Sequence, residues 1–323
     1  MKVNDIRPDS LVDAQRQAYL KDVEFYRKIQ SQFVARNCPG CQDEHGFEFT
    51  DHLGFSFKKC KVCQSVFMSP GPTPEIIYKF YENSENYKYW STHIYPLSRD
   101  KRIETIHKQR SILVFDAINA HMDNGKKSIL EIGAGTGDTL TCLKNQVSQE
   151  IDVHAIEWNS DMIVQLRENY INVIEESIEE LSKSLHKFDV VLLFEVTEHL
   201  LSPLEAFTSI YGLLNPGGLV ILTTPNAASI EVQFLKERST TLDVEHISLL
   251  TPQAIVFLAK MTNFEILEMN TDGKLDVDLL VRAGYEMRLL KDEVLFNDQE
   301  LQKIISESGL SSNMQVILQK KSD

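Results

Sequence analysis

The chain has 323 residues, of which 42% are hydrophobic and 25% charged, the make-up of a folded globular protein with room for about two domains. Its 33 Lys and Arg against 47 Asp and Glu leave a net charge of −14, which opposes a nucleic-acid backbone unless basic residues cluster locally. The longest apolar run, 188–194, is broken by Asp189 and falls short of a membrane span, and the first residues carry charge where a signal peptide is apolar. The expectation is a cytoplasmic protein without membrane contact.

In chain order, Leu11, Ala14, Ala18, Val23, Tyr26 and Ile29 recur at helical spacing and predict an amphipathic helix over 9–37, the N-terminal helix of a segment 1–37. Cys38-Pro-Gly-Cys41 and Cys60-Lys-Val-Cys63 follow, two C-x2-C pairs separated by 18 residues. That spacing suits a tetrahedral zinc site with all four positions filled by protein, so the metal would be structural. Redox dithiols or an iron–sulfur centre are the alternatives. The site would organise a small zinc-ribbon-like module of short strands over 38–70, with His45 and His52 on its surface; Cys142 reads as a packing residue.

Pro70-Gly-Pro-Thr-Pro74 reads as a stiff linker and domain boundary. Residues 71–127 are predicted to form a linker and helical lid, with helices over 75–81 and 103–121 and the aromatic run Tyr87-Lys-Tyr89-Trp90 between them. From residue 128 to 323, strand-like runs (128–132, 153–156, 172–174, 190–194, 219–223, 264–269, 314–319) alternate with helical patterns. This predicts an α/β, Rossmann-like, seven-stranded and mostly parallel sheet. The spacing of Leu275, Leu279, Leu280, Leu289, Leu290, Leu295, Leu301, Ile304 and Ile305 predicts a helical insertion over about 272–312.

The segment Ser128-Ile-Leu-Glu-Ile-Gly-Ala-Gly-Thr-Gly-Asp138 runs a buried strand into a loop with glycines at 133, 135 and 137, then into a helix. Such a loop lets a ligand approach the backbone closely. Glu131 at the strand end suits a cationic amino-acid ligand better than a pyrophosphate. Glu157, ending the next strand, is placed to accept both hydroxyls of a ribose.

Together with Phe188-Asp-Val-Val-Leu-Leu-Phe-Glu-Val-Thr-Glu-His199 and Leu213-Leu-Asn-Pro-Gly-Gly-Leu-Val-Ile-Leu-Thr-Thr-Pro-Asn226, these residues resemble successive motifs of class I S-adenosylmethionine-dependent methyltransferases. The resemblance covers about 128–269. It implies that Glu131, Gly133, Ala134, Gly135 and Gly137 meet the methionine portion and that Glu157, with Trp158, holds the ribose. Glu176, Ser177 and Ile178 would cup the adenine, and Phe194 and Glu195 would line the cofactor.

With its cysteine knuckles, the chain is also similar to sugar-nucleotide C-methyltransferases of deoxysugar biosynthesis. In those enzymes a Glu-His pair matching Glu245-His246 supplies the base and a linker tyrosine, matched by Tyr87 or Tyr89, meets the substrate. The chain departs from them at Asp243, where that family has tyrosine, and lacks their C-terminal domain. Simple O-methyltransferases of quinone pathways share the Glu-x-x-Glu-His segment ending at His199. The expected function is therefore methyl transfer to a small polar metabolite, foremost a sugar or nucleotide-linked sugar. His246 would be the base, oriented by Glu245, with His199 as a second polar contact and Tyr87, Tyr89 and Trp90 over the substrate. The rivals are an RNA base methyltransferase, disfavoured by the acidic charge and the lack of a basic aromatic stripe, and a non-catalytic cofactor-binding scaffold. No feature specifies an oligomeric state.

Overall fold

A computed structural model describes residues 9–146, 151–284 and 298–321. Leu289, Leu290 and Leu295, expected in the helical insertion, lie outside them. In chain order the strands are β1 (Gly46–His52), β2 (Phe55–Cys60), β3 (Val66–Met68), β4 (Lys127–Ile132), β5 (Ile151–Ile156), β6 (Asn172–Ile174), β7 (Phe188–Phe194), β8 (Leu214–Pro225), β9 (Ser248–Leu249), β10 (Phe264–Asn270) and β11 (Asn313–Lys320). They build one four-stranded and one seven-stranded sheet. The chain divides into two compact units: Met1–Lys101 with Pro225–Ala254 and Thr271–Met314, and Arg102–Thr224 with Ile255–Asn270 and Gln315–Asp323.

The second unit is built on the seven-stranded sheet, ordered β10-β11-β8-β7-β4-β5-β6. The pairs β4–β5, β4–β7, β5–β6 and β7–β8 are parallel, and β10–β11 is antiparallel. Ile129, Val153, Val190, Leu192, Leu219 and Ile221 bury one sheet face against Val114, Ile118, Leu140 and Leu166 of its helices. Each such side chain contributes about 1.5–3 kcal/mol, and covering on both faces is why these strands read as unbroken apolar runs. Asp189, the break in the longest run, stays inside β7 because its carboxylate accepts from Ser128 N (2.9 Å) and Asn215 Nδ2 (2.9 Å). The fold matches the expected seven-stranded architecture.

In the first unit, β1, β2 and β3 form an antiparallel meander, and β9 pairs antiparallel with β3 through Val66 opposite Leu249 and Phe67 opposite Ser248. Arg36 locks this join: Nη1 donates to the carbonyls of Met68 (3.2 Å) and Ile247 (3.0 Å), and Nη2 to Ser248 Oγ (2.8 Å). The first helix spans Asp9–Ile29 and is followed by a 3₁₀ turn, Gln30–Gln32, so it stops short of the expected stretch to residue 37. Phe33 leaves the helix to pack its ring on Tyr26 (5.4 Å) and Phe55 (6.0 Å), and Val34 exchanges backbone hydrogen bonds with Gly71 (2.9 Å each way). The Pro70–Pro74 run, read from the sequence as a linker, thus lies within this unit.

Helices Asp276–Arg282 and Asp298–Glu307 occupy the expected insertion. Buried Asp276 ties them to the start of β11, accepting from Ser311 Oγ, Ser312 N and Gln302 Nε2, each at 2.5 Å. Asp276→Ala strands these buried donors and is expected to cost about 2–4 kcal/mol, read as a lower urea midpoint.

Candidate functional site

In the second unit the sheet reverses its winding order between β4 and β7, and the loops after their carboxyl ends are where a doubly wound sheet receives a ligand. After β4 the chain turns through Gly133, Gly135 and Gly137, all at positive φ, into the helix Asp138–Gln146. At Gly135 (φ 56°) an added Cβ would find only Met162 Sδ, 3.9 Å away, so this backbone is open to close approach. At Gly137 (φ 75°) a Cβ would strike Ile171 and Leu166 at 2.5 and 2.6 Å. The Glu157 carboxylate organises the loop. It accepts from Gly135 N (2.8 Å), Trp158 N (2.8 Å) and Asn159 N (3.0 Å), and Asn159 in turn caps the helix Ser160–Glu168. Trp158 is 61% exposed.

Glu131 is buried, and its Oε2 has no hydrogen-bond partner among the described residues. Burial pushes its pKa up to about 8, against the pull of the Arg110 charge. Arg110, from the helix Lys108–His121, lies over the Phe194 ring (4.8 Å), 3.4 Å from Glu195 Oε1 and 3.5 Å from Thr223 Oγ1. Thr223 donates to the same Glu195 oxygen at 2.6 Å, and Glu195 holds a left-handed φ of 58° just past β7. Non-glycine residues in that region cluster at functional sites. Arg110 sits in no motif, and no feature of the sequence around it marks it as a site residue. An uncompensated buried carboxyl, a neighbouring guanidinium, open loop backbone and a second carboxylate fit a ligand carrying an ammonium, a carboxylate and a diol.

Among the other expected site residues, Ile178 is buried and Glu176 exposed. The Ser177 side chain caps the helix Ile178–Leu181 in a reciprocal box with Glu180, so its hydroxyl serves the backbone. His199 ends a 3₁₀ turn after β7, next to buried Glu198, which accepts from Thr224 Oγ1 at 2.9 Å.

In the first unit the sulfurs of Cys38, Cys41, Cys60 and Cys63 all lie within 4.8 Å of one another. Cys38 and Cys63 are 3.3 Å apart and Cys41 and Cys60 3.5 Å, close to the roughly 3.8 Å edge of a tetrahedron with 2.3 Å zinc–sulfur bonds. The hydrogen bond between Cys38 and Cys63 pulls Cys63 down and pushes Cys38 up. The donor set fits one zinc ion. His45 faces Asp43 (3.3 Å), and His52 Nδ1 donates to the Glu237 carbonyl (2.9 Å).

His246 is half-buried in the same unit. Its Nδ1 donates to the Thr241 carbonyl at 2.8 Å and lies 3.5 Å from Asp243 Oδ2. Asp243 Oδ1 also accepts from the backbone N–H groups of Glu245 (2.8 Å) and His246 (2.7 Å). Thr241 and Asp243 therefore orient the ring, which corrects the expectation that Glu245 does so; Glu245 Oε1 accepts from Asn86 Nδ2 instead (2.7 Å). Tyr87 and Tyr89 lie on the short helix Glu85–Tyr89, and Trp90 follows in a wider π turn, Trp90–Ile94. Their half-buried rings pack on Tyr81 (6.5 Å), His93 (4.5 Å) and Tyr95 (4.9 Å) respectively.

A glycine-cornered turn at the switch point of a mostly parallel seven-stranded sheet, with an acid ending the second strand, defines a nucleoside-binding domain of the methyltransferase type. The methyltransferase-domain family model matches residues 106–269, just over half of the chain, and the chain belongs to that family, this part being a class I S-adenosylmethionine-dependent methyltransferase domain. A probable S-adenosylmethionine-dependent methyltransferase of Mycolicibacterium smegmatis is 25% identical over 149 residues, 46% of this chain and 55% of that one. A ubiquinone biosynthesis O-methyltransferase of Rickettsia felis is 30% identical over 117 residues, 35% of this chain and 48% of that one. The chain thus spans about half the length of these two curated relatives. The plantazolicin methyltransferase BpumL, solved in complex with a pentazolic desmethylPZN analogue and SAH, is similar in fold, with a TM-score of 0.50 and 15% identity over 76% of this chain and 95% of that one. Among the described residues no helix is long and apolar enough to cross a membrane.

Because folding raises the pKa of Glu131, the folded state keeps a proton there that the unfolded chain has lost, and stability falls as pH rises from about 4.5 to about 8. Glu131→Gln is expected to leave the melting temperature almost unchanged at pH 5 and to raise it at pH 9, by at least about 1 kcal/mol of stability. Thermal denaturation at the two pH values measures this.

Proposed function

We propose that the whole chain is an S-adenosylmethionine-dependent methyltransferase acting on a small polar metabolite, a sugar or nucleotide-linked sugar, with His246 as the general base. The observation that carries the base assignment is the Nδ1 hydrogen bond to the Thr241 carbonyl. It fixes the neutral tautomer with its lone pair on Nε2, the nitrogen able to take a proton from a hydroxyl or an acidic carbon.

S-adenosylmethionine supplies the electrophilic methyl carbon when bound. On this reading Glu131 holds its ammonium and Arg110 its carboxylate, with Gly133, Ala134, Gly135 and Gly137 giving close backbone approach. Glu157 turns from the loop amides to the ribose hydroxyls, flanked by Trp158, while Glu176 and Ile178 border the adenine and Phe194 and Glu195 line the methionine end. Tyr87, Tyr89 and Trp90 meet the acceptor, and His199 adds a polar contact. Cys38, Cys41, Cys60 and Cys63 hold a structural zinc ion. The name of the Rickettsia felis relative favours a second reading, in which the acceptor is the hydroxyl of a quinone precursor.

Titration with S-adenosylhomocysteine, alone and then with nucleotide sugars and hydroxylated aromatic acceptors, separates the two. Tightening by a nucleotide sugar is expected, whereas tightening only by an aromatic acceptor favours the second reading. His246→Asn, whose amide can still reach the Thr241 carbonyl, should bind S-adenosylhomocysteine within about twofold of wild type and lose at least about 10²-fold in turnover; retained turnover removes the base assignment. Metal analysis should find about one zinc per chain. Because β9 pairs with β3, stripping the zinc should raise amide exchange at 247–251 along with 55–68.

A further inference from the structure

The edge strand β1 of the first unit carries a bulge. Its register with β2 slips between Glu48, opposite Lys58, and Thr50, opposite Phe57, so Phe49 has no partner in the ladder. Bulges re-aim side chains and occur beside functional sites. Here the half-buried Phe49 ring is shared by two ammonium groups of the same unit. Lys59 Nζ, from β2, is 5.8 Å from the ring centroid, and Lys236 Nζ, from the end of the helix Ile230–Leu235, is 6.0 Å from it.

Both lysines are held. Lys59 Nζ donates to Gln233 Oε1 (2.7 Å), and Gln233 Nε2 donates to the Ala227 carbonyl (2.6 Å), which fixes the amide with its oxygen toward the lysine. Lys236 has φ 48° and ψ −117°. That is the conformation of the first central residue of a type II′ turn, where glycine is usual, and a side chain kept there costs about 1–3 kcal/mol. The next residue ties the segment to β1: the Glu237 carbonyl accepts from His52 Nδ1 (2.9 Å), and its carboxylate accepts from Thr50 Oγ1 (3.4 Å).

The two charges are left unneutralised. Lys58, beside Lys59, lies 3.9 Å from Glu48, but among the described residues neither Lys59 nor Lys236 has a carboxylate partner. In a chain with a net charge of −14, acids are plentiful and none is spent here. The shared ring returns about 0.5–1 kcal/mol to each cation. An anion bridging them would return more, about 1.5–3 kcal/mol for each hydrogen bond to a charged group.

We propose that Lys59 and Lys236, seated on Phe49, form a binding site for a phosphoryl group. Each ammonium has three rotatable donors and acts as a compact charge, which suits the tetrahedral oxygens of a phosphate, whereas a planar carboxylate favours the arginine fork. S-adenosylmethionine carries no phosphate and is not the ligand. In the proposed function the occupant is the diphosphate of the nucleotide-linked acceptor; that identification rests on that reading, and the site itself does not.

Calorimetric titration of the zinc-loaded full-length protein with inorganic pyrophosphate and with UDP tests the site. Both anions should bind, and Lys59→Gln and Lys236→Gln should each weaken them at least about tenfold. Tighter binding of UDP than of pyrophosphate identifies a nucleotide as the source of the phosphate, and equal binding identifies a free one. Lys236→Gly relieves the backbone and should raise the melting temperature while losing the same affinity, which a lysine retained for folding alone would not do. It also carries the test if Lys59→Gln fails to fold. Absence of binding by both anions, or binding that the substitutions leave unchanged, overturns the proposal. Tightening of S-adenosylhomocysteine by nucleotide sugars reports on the acceptor reading alone, so the two fail separately.

Discussion

Arg36 carries a guanidinium into the interior of the first unit and spends it on two carbonyls and a hydroxyl: Met68 at the end of the cysteine-bearing meander, and Ile247 and Ser248 some two hundred residues later. That join makes the unit possible. Met68 N also donates to the Ile247 carbonyl and the Thr251 hydroxyl to the carbonyl of Cys63, so the segment just after His246 becomes the fourth strand of the cysteine module. Burying a guanidinium is costly unless its donors are met, and here the acceptors come from both sides of the join. The same contact that closes the sheet therefore fixes where the His246 loop ends.

The second unit handles burial in the opposite way. Glu131 leaves an oxygen without a partner among the described residues, and the Arg110 guanidinium that favours its charge is paired with Glu195 at 3.4 Å. Below this group the sheet core is apolar, while the loop backbone is strained at Glu195 and turned through positive φ at three glycines. Stability given up at the head of a well-packed sheet is typical of a ligand site, where the ligand supplies the missing charge. The family match, residues 106–269, covers most of this unit and runs on through 225–254 of the first, and in the proposed function the unmet carboxyl receives the ammonium of the cofactor.

Much of this was legible in the residues. Continuous apolar runs marked the sheet strands because both faces are covered, and the glycine loop announced itself because no other residue turns so tightly. The C-x2-C spacing anticipated four sulfurs within reach of one ion. The errors share a cause. The first helix was read past Ile29 because periodicity carries no information about Phe33 stacking on Tyr26 and Phe55, or about Val34 pairing with Gly71. Glu245 was assigned to the His246 ring on adjacency alone, when Thr241 and Asp243 hold the ring and Asn86, from another helix, takes the carboxylate. Nothing local marks Arg110, because its partners, Glu195 and Thr223, come from the loop after β7 and from β8.

What the sequence by itself determined is local: the order of strands and helices, the glycine turn, the paired cysteines and the acids at strand ends, each set by backbone sterics, periodicity or ligand spacing within a few residues. What only the tertiary structure decided is which polar group meets which. The Arg110–Glu195–Thr223 cluster beside Glu131 and the hydrogen bond from Asn86 to Glu245 both join residues distant in sequence. The penalty for an unmet buried polar group depends on what packs around it, and no single segment carries that information.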